Sequence, residues 1–139
     1  MQLKTSGIVK DQCLIGGAWT GTPALDVTNP ATGEVIGRVP DLGANETRAA
    51  IEAANAAFPA WSGLLAKERG AILRRWYELQ REHKEDLARL MTAEQGKPLT
   101  ESRAEVDYGA SFTEFYAEEA KRIYGEIIPT SKKLSLIHI

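Results

Sequence analysis

Residues 94–125, EQGKPLTESRAEVDYGASFTEFYAEEAKRIYG, contain the last long patterned element of the chain. Apolar and small residues recur there at steps of three and four, which predicts an amphipathic helix over residues 100–124. Thr100 is the predicted N-cap, and Gly125 is predicted to end the helix. The predicted apolar stripe comprises Val106, Gly109, Ala110, Thr113, Tyr116, Ala117, Ala120 and Tyr124.

Two stretches before this helix show the same helical period. Asn45 is predicted to cap the first stretch, and Pro59 is predicted to stop it. The second stretch starts near Ala66 and has a predicted break near His83. Gly96 is predicted to end it in the conformation that glycine favours after a helix. The region from residue 43 onward is therefore predicted to form three or four amphipathic helices.

The first forty residues instead show the pattern of short strands and turns. Residues 12–19, 24–28 and 34–39 are β-prone runs separated by glycine and proline. The segment TNPATG before the last run predicts a turn in which Gly33 has a positive φ. We therefore expect an α/β chain, with a β ribbon followed by helices. These elements would pack either as a bundle or as the outer layer of a larger α/β protein.

The composition excludes several classes of partner. The chain has 139 residues and a net charge of −2, with basic residues dispersed among acidic ones. This balance gives no electrostatic reason to expect nucleic acid or an anionic membrane as a partner. No apolar run approaches the roughly 20 residues that a membrane span needs. The N-terminus lacks the pattern of a secretory or transit peptide, so we expect a cytoplasmic protein.

Few residues of the chain are candidates for chemistry. No glycine-rich phosphate-binding motif is present, so no cofactor-binding residue is predicted. Cys13, the only cysteine, lies in an apolar strand-like stretch with no neighbour that would activate a thiolate. His83 is predicted to lie on a helix surface, and Glu118 and Glu119 are predicted to point apart on a helix. We therefore predict no catalytic residue and no metal-binding residue.

Six phrases of the sequence, taken in order, resemble the aldehyde dehydrogenase family. They are LIGGAW (14–19), VTNPATGEVIGRVP (27–40), AAFPAW (56–61), RGAILRRW (69–76), LMTAEQGKPLTES (90–102) and FYAEEAKRIYGEIIP (115–129). The last two phrases, with the residues between them, are most similar to the succinate-semialdehyde dehydrogenase branch. The resemblance covers roughly residues 12–130, which correspond to about the first quarter of the family's chain.

The resemblance implies a fold and an activity for a longer protein. In the family, NAD or NADP oxidises an aldehyde to a carboxylic acid after a cysteine thiolate has attacked the aldehyde. The helices of the N-terminal quarter pack on a Rossmann-like coenzyme domain, and the enzyme is a homo-oligomer. The residues for catalysis and coenzyme binding lie beyond the position of Pro129. Cys13 matches a strand position of the family and not its nucleophile.

The resemblance also implies a substrate-contact role for one helix face. The family's counterpart of residues 100–124 runs near the mouth of the substrate tunnel. Glu105, Tyr108 and Phe112 follow one another at steps of three and four, so they can face the tunnel together. The alternative is that Phe112 packs in the interior and Glu105 faces solvent.

The last six residues, LSLIHI, match the family's next strand poorly. The codons CTG TCT CTT ATA CAC ATC of a transposase mosaic-end sequencing adapter translate to the same six residues. We therefore interpret residues 134–139 as an adapter-encoded tail that is not native, with no functional role for His138. Residues 1–133 are then the N-terminal segment of an aldehyde dehydrogenase domain. The alternative is a divergent native strand.

Two functional hypotheses follow from the sequence. The first is the N-terminal fragment of an NAD(P)-dependent aldehyde dehydrogenase that acts on succinate semialdehyde, with no activity in the fragment itself. Another branch of the same family is its alternative. The second hypothesis is a non-catalytic helical module that binds another protein through its exposed apolar stripes. A stand-alone module is expected to fold cooperatively, whereas a fragment is not.

Overall fold

The computed structural model describes residues 2–125 of the chain. Residues 134–139 lie outside this range, so the adapter origin of the tail stays a prediction. The described part contains two β hairpins followed by four helices, which confirms the predicted order of elements.

Residues 12–19, predicted as one β-prone run, contain the first hairpin's reversal. Strands β1 (Cys13–Ile15) and β2 (Ala18–Thr20) pair antiparallel. Gly16 and Gly17 form the turn with φ values of 59° and 84°. Two consecutive positive φ values match the two-residue turns that join antiparallel strands, so the glycine pair reverses the chain.

The second hairpin confirms the predicted turn. Strands β3 (Pro23–Thr28) and β4 (Val35–Pro40) pair antiparallel in a sheet of their own. The Asn29 N–H donates to the Glu34 carbonyl at 2.9 Å, and the Gly33 N–H donates to the Asn29 carbonyl at 2.8 Å. Gly33 has a φ of 74°, as predicted. The expected ribbon is therefore two separate two-stranded sheets.

Helix α1 (Ala44–Ser62) differs from the prediction at both ends. Gly43 is the N-cap, and its N–H donates to the Glu46 carboxylate at 3.0 Å, so the prediction of Asn45 was wrong. Pro59 lies inside the helix and does not stop it. A proline this close to the end removes a single N–H donor, while its carbonyl still accepts the Gly63 N–H at 3.0 Å.

Helices α2 (Ala66–Glu82) and α3 (Lys84–Gln95) confirm the predicted break. His83 lies between them with a φ of −97° and a ψ of 12°, which interrupts the helical path. Gly96 ends α3 with a φ of 74°, the left-handed conformation that was predicted.

Helix α4 (Leu99–Glu119) is shorter than predicted at its C-terminal end. It begins after Pro98, so Thr100 lies in the first turn and is not the N-cap. It ends at Glu119, before the predicted end at Gly125. Tyr124 is 79% exposed, so no packing stabilises a further turn.

The buried part of the molecule lies where α4 packs on α2 and α3. Its buried side chains are small and come from α3 and α4: Asp86, Ala88, Ala93, Ser102, Val106, Ala110, Thr113 and Ala117. Gly70 is the buried residue of α2, and α1 contributes none. Large apolar side chains such as Phe58, Ile72 and Trp76 remain exposed. Within residues 2–125, no helix has the length and apolarity to cross a membrane.

Candidate functional site

Helix α4 has a small buried face and an aromatic exposed face. Its buried residues, Ser102, Val106, Ala110, Thr113 and Ala117, follow one another at steps of three and four, as required of one helix face. Small side chains on this face let α4 approach its neighbours closely. The large aromatic residues between these positions consequently point away from the neighbouring helices.

Tyr108 and Phe112, two of the three predicted substrate-contact residues, lie in direct contact. Their ring centroids are 4.9 Å apart and their planes meet at 81°, an edge-to-face arrangement. The two residues are 67% and 48% exposed. Phe115 and Tyr116 form a second edge-to-face pair one turn further on. We call these four residues the aromatic face of α4.

Glu105, the third predicted residue, lies one turn before this pair but has a partner of its own. Its carboxylate forms an ion pair with the ammonium of Lys97, in the turn between α3 and α4. Glu105 also borders a groove of about 510 Å³ between the two helices, together with Leu87, Met91 and Gly109. The three predicted residues therefore form an aromatic pair, Tyr108 and Phe112, beside a carboxylate whose charge is balanced by Lys97.

Two further ion-pair clusters fix α4 against the helices behind it. The Arg103 guanidinium donates to both oxygens of Glu85, at 2.8 and 2.9 Å. This bonding from Arg103, supported by Arg89, lowers the pKa of Glu85 to about 2. Asp107 accepts from Lys84 at 2.5 Å and from Arg81 at 2.8 Å. The bond from Lys84 is the main cause that lowers the pKa of Asp107.

The starts of the first two helices do not offer a free site for a coenzyme phosphate. A coenzyme phosphate needs unoccupied N–H groups at a helix N-terminus beside a parallel sheet. The Gly43 N–H before α1 binds Glu46, and the Leu65 N–H before α2 binds Glu68 at 2.8 Å. Both described sheets are antiparallel pairs.

The remaining candidates lie at separate places in the described part. Cys13 is half-buried in β1, opposite Thr20. His83 is half-buried at the break between α2 and α3, with Nδ1 3.3 Å from the Thr5 hydroxyl. Glu118 pairs with Arg74 and Glu119 with Arg122, so the two carboxylates do point apart. Residues 2–125 contain no cluster of three or more His, Cys, Asp or Glu side chains that could hold a metal ion.

Lys97 is the residue of this site that sequence reasoning missed. Helical periodicity relates residues on one helix, and Lys97 precedes α4 by two positions. The only available signal was the turn chemistry of Gly96 and Pro98, which directs the intervening side chain back over the start of the next helix.

Known proteins match this chain over nearly all of its length. The sequence model of the "Aldehyde dehydrogenase family" matches residues 19–139. The succinate-semialdehyde dehydrogenase [NADP(+)] GabD of Escherichia coli is 58% identical over 93% of the chain and 27% of its own length. The glutarate-semialdehyde dehydrogenase of Pseudomonas putida is 59% identical over 93% of the chain and 28% of its own length.

The same relationship holds for solved structures. A succinate-semialdehyde dehydrogenase from Burkholderia pseudomallei has a TM-score of 0.90 and 46% identity, over 95% of this chain and 28% of its own. The chain thus spans little more than a quarter of the length of the relatives it matches. The family model covers well over half of the chain, and the resemblance of the six phrases is confirmed. The chain belongs to the aldehyde dehydrogenase family.

Proposed function

We propose that this chain is the N-terminal part of an NAD(P)-dependent dehydrogenase that oxidises succinate semialdehyde to the dicarboxylic acid. The observation that carries the proposal is the 58–59% identity to two enzymes named for semialdehydes, which carry one carboxylate besides the aldehyde. Identity of this level along nearly the whole chain supports the same substrate class. Another branch of the family is the alternative.

We propose that the Tyr108–Phe112 pair contacts the carbon chain of the aldehyde, with Glu105 beside it. The exposure of both rings supports this role, because a side chain must be accessible before a substrate can touch it. Two large rings held edge to face offer a rigid apolar wall at little further cost in conformational entropy. The competing possibility is that the rest of the protein buries both rings.

The coenzyme, NAD or NADP, is proposed to bind the part of the protein beyond this chain, because the chain spans only 27% of the length of the E. coli enzyme named for NADP(+). We expect the chain alone to have no dehydrogenase activity for the same reason. A homo-oligomeric state and a cytoplasmic location are proposed for the whole enzyme. Reduction of NAD or NADP by the purified chain with any aldehyde would contradict this proposal.

A chimera tests the proposed activity. Residues 1–133 of this chain replace the matching N-terminal segment of the E. coli enzyme, and NADP reduction is measured with succinate semialdehyde. We expect activity within about tenfold of the parent, because most interface residues should be shared at this identity. A correctly assembled chimera that oxidises other aldehydes but not succinate semialdehyde would favour a different branch.

The same chimera tests the aromatic pair. Phe112→Ala is expected to change the KM values across a series of aldehydes of increasing length. Phe58→Ala is the matched control, since Phe58 is also an exposed phenylalanine, 63% against 48%, but lies on α1. Unaltered KM values in Phe112→Ala, with folding intact, would remove Phe112 from the substrate site.

The origin of residues 134–139 is also a proposal, and it has a direct test. The gene is sequenced across the codon for Lys133 by a method that uses no transposase adapter. A reading frame that continues into other residues supports an adapter-encoded tail. The same six codons in that sequence would contradict it.

The second candidate, a helical module that binds another protein, is favoured by one observation. Large apolar side chains, including Phe58, Trp76 and Phe115, are exposed on three different helices. A self-sufficient module is expected to unfold cooperatively as the isolated chain, with coincident fluorescence and circular dichroism transitions. Non-coincident or absent transitions favour the enzyme fragment.

A further inference from the structure

The first described residues are tied to the helices by one buried carboxylate. The main-chain N–H groups of Lys4 and Thr5 donate to Oδ1 and Oδ2 of Asp86, each at 2.8 Å. Asp86 lies in the first turn of α3 and is only 4% exposed. The Thr5 hydroxyl lies 3.3 Å from Nδ1 of His83, the residue that precedes α3.

A carboxylate in this position needs such donors. A buried charge is costly unless hydrogen bonds replace its water, and two N–H donors, one to each oxygen, do so here. The first turn of α3 also favours a negative charge, because it lies at the positive end of the helix dipole. These bonds, chiefly that from the Lys4 N–H, lower the pKa of Asp86.

The charged groups around Asp86 belong to other pairs or to the N-terminal segment, so the Asp86 carboxylate depends on the N-terminal residues for its hydrogen bonds. Glu85, its neighbour in the helix, is occupied by Arg103 and Arg89. Lys4 is a cation whose charge also acts on Asp86, and it belongs to the N-terminal segment itself. His83 faces Thr5. Removing residues 2–5 would therefore take away both N–H donors of a buried carboxylate.

Residues 6–12 join the N-terminal segment to β1, and each hairpin also contacts the helices directly. The first hairpin lies against α1, since a Cβ on Gly16 would be 3.7 Å from the Ala53 Cβ. The second lies against the end of α3, since a Cβ on Gly96 would be 3.0 Å from the Pro30 ring. The bonds of Lys4 and Thr5 to Asp86 therefore give the first hairpin a second attachment, at the start of α3.

We propose that residues 2–5 form an N-terminal strap latched to Asp86, which holds the first hairpin on the helical layer and opens when the latch is lost. The latch recognises main-chain N–H groups, so it depends on the bend at Lys4 and Thr5, which directs both N–H groups to Asp86, and not on the side chains of the strap. Asp86 is a positioning residue in this device, acting on the hairpin through residues 4 and 5.

Amide hydrogen exchange of the chimera with the E. coli enzyme tests the strap, with Lys4 and Thr5 as reporters. Asp86→Asn turns one acceptor oxygen into an N–H donor that faces another donor. We expect exchange at both reporter amides to accelerate about ten- to a hundredfold, the range for a lost bond to a charged group. Trypsin cleavage after Lys4 should accelerate likewise, whereas cleavage after Lys10 should change less.

Glu85→Gln is the matched control. It removes a charge from the same helical turn and breaks the pair with Arg103, but Glu85 does not bond the strap. We expect it to leave the reporter amides protected. Equal acceleration in Asp86→Asn and Glu85→Gln would overturn the proposal, because the effect would then come from α3 as a whole. Unprotected reporter amides in the unsubstituted, active chimera would overturn it as well.

A second variant removes a donor from the strap and keeps the acceptor, Asp86. Thr5→Pro removes one N–H donor and leaves Asp86 intact, whereas Thr5→Ala keeps the donor and loses only the hydroxyl near His83. The latch requires faster exchange at Lys4 in Thr5→Pro and near-normal exchange in Thr5→Ala. The opposite order would assign the attachment to the His83 contact.

Discussion

Gly70 of α2 lies against the backbone of Ala117 in α4, so closely that a Cβ on Gly70 would sit 2.8 Å from the Ala117 carbonyl oxygen. Gly70 is also the buried residue of its helix. The obstacle is main chain within a helix, which cannot rotate away as a side chain can. This contact sets the distance between α2 and α4.

Gly70→Ala is therefore expected to destabilise the fold. Alanine favours a helix over glycine by about 1 kcal/mol, but forcing an atom into a packed contact costs typically about 1–3 kcal/mol. Because the helices must separate to admit the methyl group, we expect the packing cost to exceed the gain in helix preference. The measurement is the change in the urea midpoint of the chimera.

Gly109→Ala is the control for this prediction. Gly109 lies within α4, and a Cβ there would meet no atom within 4 Å. The methyl group then brings only its helix preference, so we expect a gain of up to about 1 kcal/mol. The prediction fails if the two alanine variants shift the midpoint in the same direction.

The ends of the helices were predicted correctly where the local sequence signal and the packing of the fold favour the same end. Gly96 was predicted correctly, because a left-handed glycine after a helix is a local signal. The break near His83 was also predicted correctly. The prediction from Pro59 was wrong, because the free energy lost with its missing N–H donor depends on how many helical turns follow it. The prediction that α4 reaches Tyr124 was also wrong. The spacing of apolar residues does not show whether a neighbouring surface exists against which Tyr124 can pack.

The candidate site was only partly predictable for the same reason. Helical spacing placed Tyr108 and Phe112 together, since residues four apart share a face. The same spacing included Glu105 but said nothing of Lys97, whose position depends on the path of a turn. The Glu85–Arg103 pair joins different helices, so no period along the chain relates its members.

The Glu85–Arg103 pair should make stability depend on acid pH. The pKa of Glu85 is lowered from 4.5 to about 2, so its stabilising effect is complete above 4.5 and is lost as pH falls toward 2. Arg103→Gln should raise the pKa of Glu85 toward its usual value. The loss of stability between about neutral pH and about pH 3 should therefore be smaller in this variant.

Urea midpoints of the chimera at the two pH values measure this difference. Arg75→Gln serves as the reference. Arg75 pairs with Glu78 at 3.5 Å, and both residues lie on the exposed surface of the same helix. We expect Arg75→Gln to keep the full pH dependence. An identical slope in all three proteins would mean that the Glu85 carboxylate does not carry the effect.

Lys97 is predicted to control how the site tolerates a charged aldehyde. Succinate semialdehyde carries a carboxylate, and on the proposed substrate face Glu105 would repel it unless Lys97 supplies the opposite charge. Both side chains are partly exposed, so the effect should be modest. We expect Lys97→Gln to raise the KM for succinate semialdehyde about two- to fivefold in the chimera, and to leave the KM for a neutral aldehyde of similar length unchanged.

The double variant Lys97→Gln with Glu105→Gln separates charge from structure. If Lys97 acts by neutralising Glu105, then removing both charges restores the KM for succinate semialdehyde toward that of the unsubstituted chimera. Added salt should also reduce the effect of Lys97→Gln, because salt screens exposed charges. If Lys97 instead holds the turn between α3 and α4 in place, then both aldehydes are affected alike and the double variant is no better than the single one. That outcome would make the ion pair a structural tie and leave the Tyr108–Phe112 proposal to stand on its own measurement.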